Sequence, residues 1–322
     1  MTSFDVQLTA GRVLGHAPAR SPYGRSAAAI DIAQDLMLRH LRLSGILDLL
    51  VFKGGTALRK LYAGAAGRFS TDLDFSLRSL EDDPATVIAM LVEAIDGTEL
   101  GPFQYHVAEH RGRFHVAYES SIAALDMATE LQSKIDVGPP PWLEPTARHW
   151  VPVPIHSRYG GPLPDLPCMR LEENIAEKIA RLNRRTLARD AYDLVWISST
   201  PGHNLDRALI RRLAVLKSWV DLHGLTTSTS GWSPLPEARP FDTERWLHPR
   251  RRRDFDDENI GLLTTPPPDL DALGNELSNR YLWLGDLDED ERTIATGAAS
   301  DRATVLRMLA ALEGERLNGV CW

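Results

Sequence analysis

The residues with most chemical potential lie in one stretch, VFKGGTALRKLYAGAAGRFSTDLDFSL, from Val51 to Leu77. The apolar run Leu49-Leu50-Val51-Phe52 stops at Gly54-Gly55, and Ala57-Leu58-Arg59-Lys60-Leu61-Tyr62 then reads as a helix. Two glycines between a strand and a helix let backbone N–H groups approach a phosphate closely, and the helix N-terminus adds a favourable dipole. A phosphate is therefore expected at Gly54, Gly55 and Thr56. The spacer between Thr56 and Asp72 holds 15 residues. Beyond it, Asp72 to Leu77 alternates strictly, which puts Leu73, Phe75 and Leu77 on one strand face and Asp72, Asp74 and Ser76 on the other. Two carboxylates on one face can share hard cations such as Mg²⁺, and ions held there accept phosphate oxygens. In-line phosphoryl or nucleotidyl displacement is the chemistry such a pair suits. Taken singly, the two glycines are a turn and the two aspartates the solvated face of an edge strand; their order is what is specific.

A later strand pattern, Gln132-Ser133-Lys134-Ile135-Asp136-Val137, puts Lys134 and Asp136 on one face and offers Asp136 as a third carboxylate. Its plain alternative is an exposed surface strand. Arg59 and Arg68 flank the glycine turn, and an arginine fork fits phosphate oxygens, although either could equally serve a surface ion pair. Lys178 and Arg181 lie one helical turn apart with Arg185 another turn on, a cationic stripe that is either functional or merely solvated. The run Arg250-Arg251-Arg252-Arg253 suits a nucleic-acid backbone, but Asp254, Asp256, Asp257 and Glu258 follow and could pair with it.

The elements that must position these residues read as follows. A helix with charges between its apolar positions is expected from Ser26 to Leu49, the strand and glycine turn next, and a helix opened by Asp83-Pro84 and ended near Gly97. Strands are expected at Phe103 to Ala108, Phe114 to Ser120 and Leu131 to Val137. A Pro-rich segment, Gly138 to Pro167, then links to helices over Leu171 to Ile197 and Asp206 to His223. A polar linker over Thr226 to Pro240 and helices at Leu270 to Leu284 and Ala303 to Leu312 complete the chain. The fold class is α/β (α+β) and bilobed, with an α/β domain over 1–167 and a helical domain over 168–322 expected to complete the active-site cleft.

The chain of 322 residues carries 25% charged residues and a net charge of −8, so it is a folded protein that does not hold nucleic acid by overall basicity. Any polyanion site must be local. Cys168 and Cys321 belong to no metal-binding spacing, and the ten histidines show no HExxH pattern. A reducing, cytoplasmic setting with no export signal and no membrane span is expected.

Lys53-Gly54-Gly55-Thr56-Ala57-Leu58 and Arg68-Phe69-Ser70-Thr71-Asp72-Leu73-Asp74 resemble the nucleotidyltransferase fold and, within it, the AbiEii-type toxins of type IV toxin–antitoxin systems, the mycobacterial MenT toxins included. The resemblance continues in Lys134-Ile135-Asp136, Glu173-Asn174-x-x-Glu177-Lys178 and Arg189-Asp190-x-x-Asp193-Leu194, and covers residues 27–200 well but the C-terminal third loosely. It implies that Gly55 and Thr56 bind the phosphates of an NTP, with Gly54, Arg59 and Arg68 around them. It further implies that Asp72 and Asp74, with Asp136, hold Mg²⁺, that Lys178 neutralises phosphate charge, and that Asp190 is a further acidic residue of the site. The function implied is transfer of nucleotides from NTP to RNA, at the 3′ end of tRNA, arresting growth, with a cognate antitoxin as partner. Two other functions share the pattern: modification of a small molecule by the same chemistry, and a non-enzymatic nucleotide- or protein-binding module.

Overall fold

The structure, a computed structural model, describes residues 5–17, 24–122, 131–200, 202–226, 231–263 and 265–312. The chain divides into two units: Met1–Pro140 with Pro145–Cys168 and Gly261–Pro266, and Pro141–Glu144 with Met169–Ile260 and Pro267–Trp322.

In the first unit the Thr9 side chain caps α1 (Ala10–His16) by accepting from the Arg12 amide. The next helix, α2 (Gly24–Leu43), ends six residues before the expected Leu49, because Gly45 turns the chain out with φ 85° and a short 3₁₀ turn follows. Several of its polar and charged side chains are not solvated. Asp31, Gln34, Asp35 and Arg39 are all buried and bonded inward. Gln34 donates to the carbonyls of Ser70 and Thr71 and to the Ser133 hydroxyl, so α2 holds the approach to the aspartate strand.

Leu50–Lys53 forms β1, and Gly54–Leu58 forms α3, which continues as a π-helical turn over Arg59–Ala63. The two glycines are thus the first turn of the helix itself. Leu73–Leu77 forms β2 and Pro84–Ile95 forms α4, which Asp83 caps by accepting from the Thr86 amide. There follow β3 (Glu99–Leu100), β4 (Phe103–His110), β5 (Arg113–Ser120) and β6 (Gln132–Gly138). The β4–β5 hairpin turns on Arg111 and Gly112, both at positive φ, the geometry of a tight hairpin.

The Pro-rich segment is not a linker. It supplies β7 (Thr146–Arg148) and β8 (Leu166–Cys168), and β8 pairs in parallel with β1, setting Cys168 beside Phe52. The resulting mixed sheet of eight strands among the described residues runs β3-β4-β5-β6-β2-β1-β8-β7. Strand β2 is therefore interior, antiparallel to β1 and parallel to β6. Leu73, Phe75 and Leu77 are buried as their alternation requires, and Phe75 stacks tilted on Phe52 at 5.5 Å between ring centroids.

The second unit is helical. Its expected first helix is two, α5 (Leu171–Arg184) and α6 (Ala188–Ser199), broken where the Thr186 amide donates to the Asp256 carboxylate and the Asp256 amide to the Thr186 carbonyl. Asp206 caps α7 (Arg207–His223), and Gly224 at φ 75° stops it. A two-stranded ribbon, β9 (Leu225–Thr226) with β10 (Gly231–Trp232), follows within the expected linker, whose residues 227–230 lie outside the described set. Then come α8 (Glu244–Leu247), α9 (Leu270–Tyr281), α10 (Glu289–Ala295) and α11 (Arg302–Ala310). Glu173 explains why residues 141–144 belong here: its buried carboxylate accepts from the amides of Trp142 and Leu143 and from Lys217. Among the described residues no helix is long and apolar enough to cross a membrane.

Candidate active site at the head of α3

Sheet register assembles the charged row. Asp74 stands opposite Lys53 on β1 and opposite Asp136 on β6, and residues paired across strands share a sheet face. Lys53, Asp74 and Asp136 thus lie side by side across three strands. Asp72, half-buried, immediately precedes β2, and the Lys134 ammonium pairs with the Asp136 carboxylate. The Lys53 ammonium lies over Gly138, 3.6 Å from where a side chain there would begin.

The glycines admit these groups to the backbone. Gly54 has φ 78°, and a Cβ on it would collide with the Asp74 carboxylate. A Cβ on Gly55 would lie 2.6 Å from Nη2 of Arg68 and 3.4 Å from Oγ of Ser70. One glycine therefore faces a carboxylate and the next a guanidinium, both at the N-terminal turn of α3. Gly54→Ala is expected to cost about 1–3 kcal/mol from backbone strain alone, with displacement of Asp74 and loss of activity; thermal unfolding beside an activity assay checks both.

Two expected phosphate ligands are otherwise engaged. The buried Thr56 hydroxyl donates to the Asp72 carbonyl, which makes it a tether between α3 and the start of β2. Arg59 is buried, stacks over Phe69 at 4.2 Å and bonds the carbonyls of Gly64 and Gly67 and the Asp31 carboxylate. It clasps the 64–67 loop. Arg68, by contrast, is the arginine that meets the glycine turn.

Asp72, Asp74 and Asp136 do not gather as a cage: among the described residues no three His, Cys, Asp or Glu side chains cluster tightly enough to hold a metal ion. Mg²⁺ does not require one, since it is commonly held by one or two carboxylates while waters and substrate phosphates complete its shell. The hard oxygen donors of Asp72 and Asp74 beside phosphate-seeking amides fit that pattern.

The second unit carries its own charged cluster. Lys178 is 3% exposed and bonds Asp190 at 2.9 Å and Asp193 at 2.8 Å, while Arg181 reaches the other oxygen of Asp190 at 3.5 Å. Lys178 is thus buried and paired, whereas Arg181 is partly exposed and Arg185, at the end of α5, is exposed and pairs with Glu237. Lys53 and Ser70 are site neighbours that the sequence reading did not single out. Lys53 was discoverable, because a lysine ending a strand before two glycines must share a face with whatever the next antiparallel strand sets opposite. Cys168 is buried, which pushes its thiol up to about 12, so it is no nucleophile; Cys321 lies outside the described residues.

MenT4, a nucleotidyltransferase toxin from Mycobacterium tuberculosis H37Rv, superposes with a TM-score of 0.79 at 34% identity, over 95% of this chain and 100% of that one. JHP933 from Helicobacter pylori, at 17% identity over 87% of this chain and 97% of that one, has a TM-score of 0.43, too distant to bear on the argument. No curated protein matches the chain. The family described as nucleotidyl transferase AbiEii toxin, type IV toxin–antitoxin system, matches residues 35–275. With three-quarters of its length matched to that family and a strand-glycine-helix turn facing an interior aspartate strand, this chain belongs to the AbiEii nucleotidyltransferase toxins.

Proposed function

We propose that the protein transfers nucleotides from an NTP to the 3′ end of RNA, tRNA in particular, by a Mg²⁺-dependent reaction in the cytoplasm, and that a cognate antitoxin restrains it. The observation that carries this reading is the packing of the Asp74 carboxylate against Gly54 with the Arg68 guanidinium against Gly55. A carboxylate pair alone would bind a cation and a glycine turn alone an anion; side by side they suit a metal-bound triphosphate.

In this reading the amides of Gly54 and Gly55 and the fork of Arg68 bind the triphosphate, and Asp72 and Asp74 hold the metal. The bound metal supplies charge neutralisation at the reacting phosphate and lowers the pKa of the acceptor hydroxyl. The acceptor hydroxyl would give up its proton to a carboxylate of the site or to solvent as its oxygen bonds to the α-phosphorus and the α–β bridging oxygen leaves with pyrophosphate. Asp136, held by Lys134, adds negative charge on the neighbouring strand, and Lys53 keeps the carboxylate row from repelling itself. Within the second unit, Lys178 is fixed by its buried pairing with Asp190 and Asp193. Protein groups here position and neutralise; little covalent chemistry is asked of them.

The test is incubation of the purified protein with Mg²⁺, each α-labelled NTP in turn, and total RNA. Label should enter the tRNA band with a preferred nucleotide and stop entering when EDTA is added. Label transferred to small molecules and never to RNA would place the protein among small-molecule transferases instead.

A further inference from the structure

Arg68 meets the glycine turn from a loop, and a loop by itself leaves a long side chain many rotamers. What fixes it comes from elsewhere in the chain. Gly261–Pro266 belong to the first unit, although the residues on either side of them belong to the second. There the Phe69 amide donates to the Leu262 carbonyl at 2.9 Å, which pins the backbone immediately after Arg68. Gly261 lies against Arg68 itself: a Cβ on it would stand 3.6 Å from both Cδ and Nη1 of Arg68, and 3.2 Å from the Phe69 carbonyl oxygen. Nη1 reaches that same carbonyl oxygen at 3.5 Å. The other terminal nitrogen, Nη2, is the one that would meet a Cβ on Gly55 at 2.6 Å. One guanidinium is therefore flanked by two glycines more than 200 residues apart in sequence.

Position 261 does not accommodate a larger residue without a shift. Gly261 has φ 87°, in the left-handed region where an L side chain is strained, and a Cβ there would press on the Phe69 carbonyl. Phe69 is held at its amide by Leu262 and at its ring by Arg59, which stacks on it at 4.2 Å. Relief of the crowding therefore moves the 68–69 backbone, and the fork moves with it. Arg68 is buried, so its rotamer is set by these walls and not by solvent.

We propose that Gly261 and Leu262 are positioning residues for the NTP: they fix the Arg68 fork at the Gly54-Gly55 turn, so that the guanidinium and the glycine amides grip the same phosphate. The inference rests on the reading of Arg68 as a triphosphate ligand, and it assigns to this distant segment the preorganisation that such a ligand needs. A guanidinium already held in place loses little side-chain freedom when the NTP binds, and that difference appears as affinity.

The test is a double-mutant cycle on the full-length protein with Mg²⁺ and without RNA, in which ATP, CTP, GTP and UTP are titrated in turn by calorimetry. Wild type should bind at least one of them. Arg68→Met should weaken that binding about tenfold or more, as loss of charge-assisted bonds does, and Gly261→Ala should weaken it about three- to tenfold. In the Arg68→Met background Gly261→Ala should change binding less than about twofold, because a residue that acts through the fork then has nothing to position. Melting temperatures taken without NTP show which variants are folded; a purely structural glycine would lower them and weaken binding by the same factor in both backgrounds. Gly261→Asn serves if the alanine variant fails to fold, since asparagine enters the left-handed region more readily while its Cβ keeps the crowding, and it should couple to Arg68 in the same way. Two failures are distinguishable. Wild type that binds no NTP, or Arg68→Met that binds as wild type does, overturns the triphosphate reading and the inference with it. Weakened binding in Arg68→Met, beside Gly261 variants that bind as wild type or whose effect is undiminished in the Arg68→Met background, overturns the inference alone.

Discussion

Asp74→Asn is expected to lower nucleotidyl transfer by about 10²–10³-fold or more, the scale seen when an electrostatic group at the reacting centre is removed, and to abolish growth arrest on expression. The substitution keeps the size of the side chain lying against Gly54 and removes only the charge proposed to hold a metal. Folding should survive, because Asp74 is half-buried in an interior strand whose core-facing residues are Leu73, Phe75 and Leu77. One of the two acids in the Asp74–Asp136 row is neutralised, which relieves repulsion in the metal-free protein. An unchanged melting temperature without metal should therefore accompany lost activity, by calorimetry beside a labelled-NTP assay. Growth arrest that persists in a soluble Asp74→Asn protein would favour a binding module acting by sequestration.

Lys60→Met should destabilise the first unit by about 3–5 kcal/mol, the cost of leaving buried acids without their cation. The Lys60 ammonium bonds the Asp31 carboxylate at 3.0 Å and its carbonyl at 2.9 Å, and also pairs with Asp35. Burial by itself would raise both acids, but Lys60, with His16 beside Asp31 and His156 beside Asp35, holds both below the usual aspartate range. The sign follows. Acids depressed in the folded state contribute stability that is full above their unfolded value of about 3.9 and is lost as pH falls through the lowered folded values. Wild-type stability should thus decline on acidification below about pH 4, and in Lys60→Met the slope should shrink, since burial is then less opposed. Denaturant unfolding of both proteins between pH 3 and 7 measures this. Unlike Asp74→Asn, this variant should lose activity only in proportion to the folded protein lost.

What was legible in the sequence was what short-range chemistry dictates. The alternation of Leu73, Phe75 and Leu77, the Asp83 cap, and the stop at Gly224 each depend on a few neighbouring residues, and each stands in the structure. The glycine turn facing the aspartate strand was legible for the same reason, since a positive φ at Gly54 and a strand of period two are local demands. What was hidden depends on partners distant in sequence. Three-residue strands such as Leu166–Cys168 give no periodic signal, and only pairing with β1, more than 100 residues earlier, makes a strand of that Pro-rich segment. Similarly, no glycine or proline marks the break between α5 and α6; Asp256, 70 residues away, bonds Thr186 and opens it. Charge was the least readable property. Arg59 looked available for phosphate but serves loop carbonyls, and Arg250 looked like one of four surface arginines but is buried on an indole.

The most direct test of the account is sequencing of tRNA 3′ ends from cells in which expression of the wild-type protein has stopped growth, beside cells expressing Asp74→Asn at equal level. The account predicts extra nucleotides on tRNA 3′ ends in the first culture, appearing with or before the arrest, and native ends in the second. Native tRNA ends in fully arrested wild-type cells would contradict it.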